Sequence, residues 1–216
     1  MAEPERPVRL YLASTSPARL ATLRAVGIDP VAIPSHVDEE AAVAGTTLTA
    51  PDLVLTLARL KAEAVAGTGT PNGGAFDGLI LGGDSAFELD GIIYGKPHLP
   101  EVARERWQAQ RGQSGQLHSG HWLIDARDGI VGRAVGGTSV ATVRFADDID
   151  DAEIDAYIAT GEPLEVAGAF TIDAKGAGFI ESIVGDPHTV VGLSVPLLRT
   201  LVRQLGIAWP SLWNRR

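Results

Sequence analysis

Apolar positions along this chain recur at two different spacings, and the changes from one to the other divide it into elements. Val8 to Ala13 is a mostly apolar run of strand length. The polar triplet Ser14-Thr15-Ser16 follows, with Pro17 behind it, and hydroxyls ahead of a proline suit the first turn of a helix. Leu20, Leu23 and Val26 then recur at helical spacing up to Gly27, the residue type that most often closes a helix. Strand, tight loop and helix are therefore expected in succession.

The same spacing predicts a second helix from about Pro51 to Ala66, with Leu53, Leu57, Leu60 and Ala64 on one face. Gly67 to Gly78 is rich in Gly and Thr and reads as a mobile surface loop. Leu79-Ile80-Leu81 is a buried-strand run, and Phe87 to Tyr94 is a hairpin about Asp90-Gly91, a type I′ turn signal. Further helices are predicted over Pro100–Arg111, Asp150–Thr160 and Val195–Leu205. Further strands are predicted over Gln116–Ile124, Thr138–Phe145 and Phe179–Val184, the first two joined through Arg127-Asp128-Gly129. Helices alternating with strands and inserted hairpins predict an α/β or mixed α+β fold.

A chain of 216 residues with 45% hydrophobic content can bury a core as one domain or as two packed lobes. It has no cysteine, so disulfides, thiolate metal sites and a cysteine nucleophile are excluded. The stretch from Met1 to Arg9 is polar and charged, and no apolar run approaches the roughly 18 residues that span a membrane. A soluble, cytoplasmic protein is expected. A net charge of −9 argues against a nucleic-acid partner, because such binding relies on neutralising phosphates with Lys and Arg. Attraction for a phosphate compound must then be local.

Four segments carry more polar and glycine residues than a core needs. Ser14 to Arg19 offers hydroxyls, helix N-terminal N–H groups and a guanidinium, a compact anion site, though an ordinary N-cap has the same composition. Gly82-Gly83-Asp84-Ser85 follows a strand run, and small residues beside a carboxylate permit close approach of substrate or metal; a strand-to-turn motif reads the same way. Gly91 to Pro97 superficially resembles a phosphate-binding P-loop. It is one residue short between its glycines and has Pro97 where Ser or Thr belongs. Lys96 remains a candidate point charge for phosphate, or a solvated turn lysine. Val37-Asp38-Glu39-Glu40 could hold a divalent cation or be a solvated acidic loop. His118 and His121 lie an odd number apart on a strand, which sends them to opposite faces and argues against a two-His metal pair.

Taken together, the segments resemble the Maf family of house-cleaning nucleotide pyrophosphatases. The likeness runs from about Arg9 to Ile207 through Leu12–Arg19, Val37–Glu39, Gly82–Ser85, Leu89–Gly91, Gly95–Pro97, Tyr157–Pro163, Ala167–Phe170 and Gly185-Asp186, in family order. It implies a two-lobed, inosine-triphosphatase-like domain over residues 9–207, with a disordered tail at 1–8, a C-terminal tail at 208–216 and a cleft between lobes, often in a homodimer. It also implies Mg²⁺- or Mn²⁺-dependent attack of water on the α-phosphate of a nucleoside triphosphate. Carried over, Asp84 is the proton acceptor, and Glu39 binds the metal with it or orients the water. Ser14, Ser16, Arg19 and Lys96 contact the triphosphate, with Lys96 part of the catalytic set, and Ser85 lies near base or sugar.

Two positions depart from the family pattern. Ala18 stands where the first of two consecutive arginines is usual. Asp173 stands where Gln is common, and that Gln is linked to uracil and thymine. An ionised Asp only accepts hydrogen bonds, so it disfavours UTP and dTTP and suits a donor-rich edge such as guanine or 7-methylguanine. A non-catalytic regulator of cell division and a plain phosphatase remain as alternatives.

Overall fold

The computed structural model describes residues 7–215. Among them one mixed sheet runs in the order β2-β1-β3-β5-β6-β7, with β4 beside β3. β1 (Leu10–Leu12) lies parallel to β2 (Val31–Ala32) and to β3 (Leu79–Leu89). β4 (Ile92–Tyr94), β5 (Ser114–Asp125), β6 (Ala134–Phe145) and β7 (Ile180–Val184) are all added antiparallel. The helices are α1 (Pro17–Ala25), α2 (Glu39–Val43), α3 (Ala50–Ala66), α4 (Pro100–Gln110), α5 (Asp151–Ala159), α6 (Pro187–Val191) and α7 (Val195–Gln204). This is the mixed α/β class that the alternating periodicities predict.

Two lobes share the long strands β3, β5 and β6. The first lobe packs Leu10, Leu12, Leu79, Leu81 and Leu123 against Leu23 of α1 and Leu198, Leu201 and Val202 of α7. On its other side, α3 covers Tyr11, Ile80 and Ile124. The second lobe packs Phe87, Leu117, Val143 and Phe145 against Trp107 of α4 and Tyr157 of α5. Trp107 meets Phe145 and Tyr157 edge-on at 5.5 and 5.4 Å, a favoured aromatic geometry. Gly82-Gly83-Asp84-Ser85 falls between the two cores, at the waist of the sheet.

Helix α3 sits unusually close to that waist. A Cβ at Gly82 would run into the Ala58 carbonyl, and one at Gly120 into the Val54 carbonyl. Only glycine lets the helix backbone rest directly on the strands. The buried face of α3 is accordingly Val54, Leu57, Ala58, Lys61, Ala62 and Val65, beginning at Ala50. The face expected from Leu53, Leu57, Leu60 and Ala64 is rotated from this one, because small alanines rather than large leucines make the closest approach.

Other expectations are corrected in detail. Asp84 does not end a strand: β3 pairs with β5 residue by residue from Leu79 opposite Asp125 to Glu88 opposite Gln116. The hairpin does turn at Asp90-Gly91, with φ of 51° and 76° as a type I′ turn requires. The acidic segment is a short helix capped by Asp38, whose side chain accepts from the Ala41 N–H. Of the expected N-terminal tail, residues 1–6 lie outside the described residues, while the Val8 N–H donates to the Ser211 carbonyl at 2.7 Å. The stretch 208–216 is built into the body as far as 215. Trp209–Leu212 is a 3₁₀ turn, Leu212 is fully buried, and the Asn214 and Arg215 N–H groups donate to the Gly27 carbonyl.

Candidate active site

β1 stops at Leu12 while β3 runs on to Leu89, and β4 joins β3 only from Phe87. This leaves a gap along one edge of β3 at the waist. The Leu79 N–H donates to Arg9 and the Leu81 carbonyl accepts from Ala13, both toward β1. Alternation along a strand therefore points the backbone groups of Gly83 and Ser85 at the same edge, where no described strand pairs with them. The Ser14–Arg19 loop leaves β1 at this gap. Asp84 and Ser85, being neighbours on a strand, send their side chains to opposite faces.

On the α3 face, Asp84 and Glu39 converge on one ammonium. Lys61 Nζ lies 2.6 Å from Asp84 Oδ1 and 2.8 Å from Glu39 Oε1. Asp84 and Lys61 are each only 7% exposed, so this pair is shielded from water far more than a surface ion pair. Burial holds the Asp84 carboxyl above the usual aspartate range, with Lys61 and Arg19 pulling it back down and Glu39 adding to the rise. Lys61 engages one oxygen of each carboxylate and leaves the other for a further partner. Among the described residues no group of three His, Asp or Glu gathers to hold an ion alone.

On the opposite face, Arg19 is locked as a fork. Its Nε donates to the Gly192 carbonyl at 2.9 Å, Nη1 to Ser14 Oγ at 3.3 Å and Nη2 to Ser85 Oγ at 3.1 Å. A guanidinium has five N–H groups, so one on each Nη remains. A Cβ at Gly83 would stand 3.3 Å from Arg19 Nε, so a larger residue there would crowd the fork. Ser16 caps α1 by accepting from the Arg19 N–H, and Ser14 accepts from the Ser16 N–H. Both serines accept in these bonds, which leaves their own O–H protons free to donate.

Ser85 differs. Ser119 gives its single proton to the Thr189 carbonyl at 2.9 Å, so in the 2.9 Å contact between Ser85 and Ser119 the donor must be Ser85. With its proton on Ser119 and a lone pair on Arg19, Ser85 braces the guanidinium and has no proton left for a base or sugar. His121 lies on this face too, where its Nε2 accepts from the Ser194 N–H at 2.9 Å. Burial, helped by the charge of Arg19, pushes it down to about 4, so it is neutral. His118 faces the other way, with Nε2 3.0 Å from Glu88, as the odd separation requires.

The remaining expected residues stand apart. Lys96 is 54% exposed, and its Nζ faces Glu165 at 4.0 Å. Asp173 is exposed in the loop before β7. The charges that act on Asp84 are those of Lys61, Arg19 and Glu39. Lys61 is the functional candidate that the sequence reading missed. Its signal was present: a lysine at the spacing of Val54, Leu57, Ala58, Ala62 and Val65 stands in an apolar stripe, where a charge needs a partner.

Fold and site together define a two-lobed α/β protein with an acid–lysine cluster and an arginine fork on the two faces of β3 at the waist of its sheet. The family model described as Maf-like protein matches residues 9–205, and the chain belongs to the Maf family. A protein of Leifsonia xyli subsp. xyli called nucleoside triphosphate pyrophosphatase is 65% identical over 213 residues, covering 96% of this chain and 98% of that one. Proteins of the same name from Salinispora tropica and Thermosynechococcus vestitus are 51% and 47% identical, covering 97% of this chain and 89% and 100% of their own. A solved structure, the Staphylococcus aureus Ham1 protein, overlaps 64% of this chain and 72% of its own at 14% identity and a TM-score of 0.40.

Proposed function

We propose that this chain is a cytoplasmic nucleoside triphosphate pyrophosphatase, cleaving an NTP with water into the nucleoside monophosphate and pyrophosphate. The observation that carries this reading is the convergence of Asp84, Glu39, Lys61 and Arg19 beside an open strand edge. The names of the close relatives support it. Two acids and two cations grouped around one strand edge suit the hydrolysis of an anion and give a plain regulator no evident purpose.

Asp84 is the base. A carboxylate lifted above its ordinary range by burial takes a proton from water more readily near neutral pH than an exposed one. Lys61 fixes its orientation and that of Glu39. The two spare Arg19 N–H groups and the Ser14 and Ser16 hydroxyls form a donor set for phosphate oxygens at the helix N-terminus. Such preorganised donors stabilise charge that builds up in phosphoryl transfer.

The site fits Mg²⁺ or Mn²⁺ brought in with the substrate. Asp84 and Glu39 would each offer the oxygen not held by Lys61, and hard divalent ions accept one or two protein carboxylates when phosphates complete the shell. Bound there, the ion neutralises phosphate charge and acidifies water. Lys96 and Asp173 act from the second lobe, Lys96 on the phosphate tail and Asp173 on the base. The outer edge of β7, with Val184 70% exposed, supports a homodimer, which sedimentation velocity tests.

The decisive experiment incubates the protein with UTP, dTTP, GTP and 7-methyl-GTP, with Mg²⁺, Mn²⁺ or a chelator. Monophosphate and pyrophosphate are expected, with metal, and faster from the guanine nucleotides. Orthophosphate as the product, or no turnover with any nucleotide, rules the reading out.

A further inference from the structure

Glu162 opens a 3₁₀ turn, Glu162–Glu165, that follows α5 through Gly161 at φ 75°. Its carboxylate accepts four hydrogen bonds. Oε1 takes the Tyr157 hydroxyl at 2.9 Å, the Thr171 hydroxyl at 2.6 Å and the Gly176 N–H at 3.0 Å, and Oε2 takes the Lys175 N–H at 3.2 Å. Three of the four come from the two ends of a single loop, residues 171–176, whose middle carries the exposed Asp173. One carboxylate thus closes the loop at both ends.

The same turn also holds the other substrate-facing loop of the second lobe. The Leu164 carbonyl accepts from the His98 N–H at 3.0 Å, and just past the turn the Gly168 N–H donates to the Gly95 carbonyl at 3.2 Å. Lys96 lies between those two anchors. Residues 96 and 173 are far apart in sequence, and both hang from one four-residue turn.

We propose that Glu162 is the positioning residue of the second lobe, fixing the Asp173 loop directly and the Lys96 loop through the turn it anchors. This rests on the reading above that both loops face the nucleotide. The chemistry demands a carboxylate: its two oxygens are acceptors only, and four donors point at them. A glutamine of the same shape keeps one oxygen for the three donors on Oε1 but turns its NH₂ against the Lys175 N–H, and it loses the charge that strengthens the other three bonds. Burial pushes Glu162 upward, but hydrogen bonds from Thr171, Gly176, Tyr157 and Lys175 outweigh it and hold the group below its ordinary range. The clamp therefore persists in mild acid.

The test compares the full-length wild type with Glu162→Gln and Thr171→Val. It reads KM and kcat for the four nucleotides, calorimetric binding of a non-hydrolysable α,β-methylene analogue, and hydrogen exchange of the 171–176 amides. Glu162→Gln is expected to raise KM and Kd roughly tenfold, as loss of hydrogen bonds to a charged group does, with kcat changed much less. The preference among bases flattens, and the Lys175 and Gly176 amides lose protection. Thr171→Val, which removes a single bond, moves the same quantities less and carries the test if Glu162→Gln fails to fold. A folded Glu162→Gln protein with wild-type Kd and base preference overturns the proposal, whatever its exchange pattern. A wild type that binds the analogue but releases no pyrophosphate instead overturns the hydrolase reading alone, and one that binds no nucleotide overturns both.

Discussion

The two banks of the proposed cleft are built differently. On the first-lobe bank, Asp84 and Lys61 are 7% exposed, and Arg19 is held by three hydrogen bonds. Each of these side chains is fixed by a strand or helix whose own packing would have to change before it could move. On the second-lobe bank, Lys96 is 54% exposed with one distant ionic partner, and Asp173 sits in an open loop. In the proposed function the rigid bank has the groups that the chemistry of any triphosphate needs, and the loop bank adds Lys96 for the phosphate tail and Asp173 for the base. Chemistry tolerates little misplacement, whereas recognition can be varied on loops without disturbing the core.

Asp84→Asn puts the largest strain on that comparison. If the first bank holds the base, pyrophosphate release falls by about 10²–10⁴-fold in kcat. Stability moves the other way. Burial holds the folded pKa of Asp84 above its unfolded value, so stability present at low pH is lost as pH rises through the folded pKa. At neutral pH the ionised group therefore opposes folding, and Asn relieves it. Asp84→Asn is expected to melt above the wild type at pH 7, with the gap closing on acidification. A variant with wild-type turnover removes Asp84 from catalysis, and one that melts lower at pH 7 shows that Lys61 outweighs burial.

Lys61→Met comes next, with a loss of roughly a hundredfold, comparable to removing one preorganised charge partner. Its sharper signature is the pH profile. Lys61 lowers the Asp84 pKa by charge and by hydrogen bond, so its removal moves the acidic limb of kcat/KM to higher pH. The activity deficit should deepen as the assay is made more acidic. A deficit equal at all pH values would leave Lys61 as a packing residue only.

The contrast between the banks also separates what the sequence makes legible from what it does not. Ser14-Thr15-Ser16-Pro17 predicts its own helix start because capping is local chemistry, and Asp90-Gly91 predicts its turn for the same reason. Strand patterns place the runs at Leu79, Gln116 and Thr138 because each buried run needs only its neighbours. Lys61 escapes because its role depends on how closely α3 lies on Gly82 and Gly120, a contact between segments that no single window contains. Ser85 shows the opposite failure. A motif joins it to Asp84, yet the pleat of β3 turns it to the far face, where Arg19 and Ser119 engage it. The loop bank gives least away, since exposed residues such as Lys96 carry no packing signal.

Lys96→Ala sharpens the comparison from the loop side. An exposed ammonium that touches the phosphate tail equally in ground and transition states supplies uniform binding, so KM should rise roughly tenfold with kcat nearly unchanged. The effect should shrink at high salt, because the group is open to screening. A fall in kcat as large as that of Lys61→Met would move Lys96 to the chemical bank and break the division.

Asp173→Asn has the smallest expected effect and tests the division most closely. The substitution keeps the size of the side chain and exchanges one acceptor oxygen for a donor NH₂, so it can now match a uracil carbonyl. Because Asp173 is exposed, each bond to a base replaces one to water and its net worth is small. The ratio of kcat/KM for UTP over GTP should rise by roughly threefold to tenfold, while the sum of activities and the melting temperature stay near wild type. Competition between the two nucleotides in one tube, followed by separation of UMP and GMP, measures that ratio directly. An unchanged ratio would place base selection elsewhere, the open Gly83 and Ser85 backbone at the strand edge being the next group to test. A changed ratio with a lowered melting temperature would mean that Asp173 belongs to the scaffold and that the two banks are less separate than their exposures suggest.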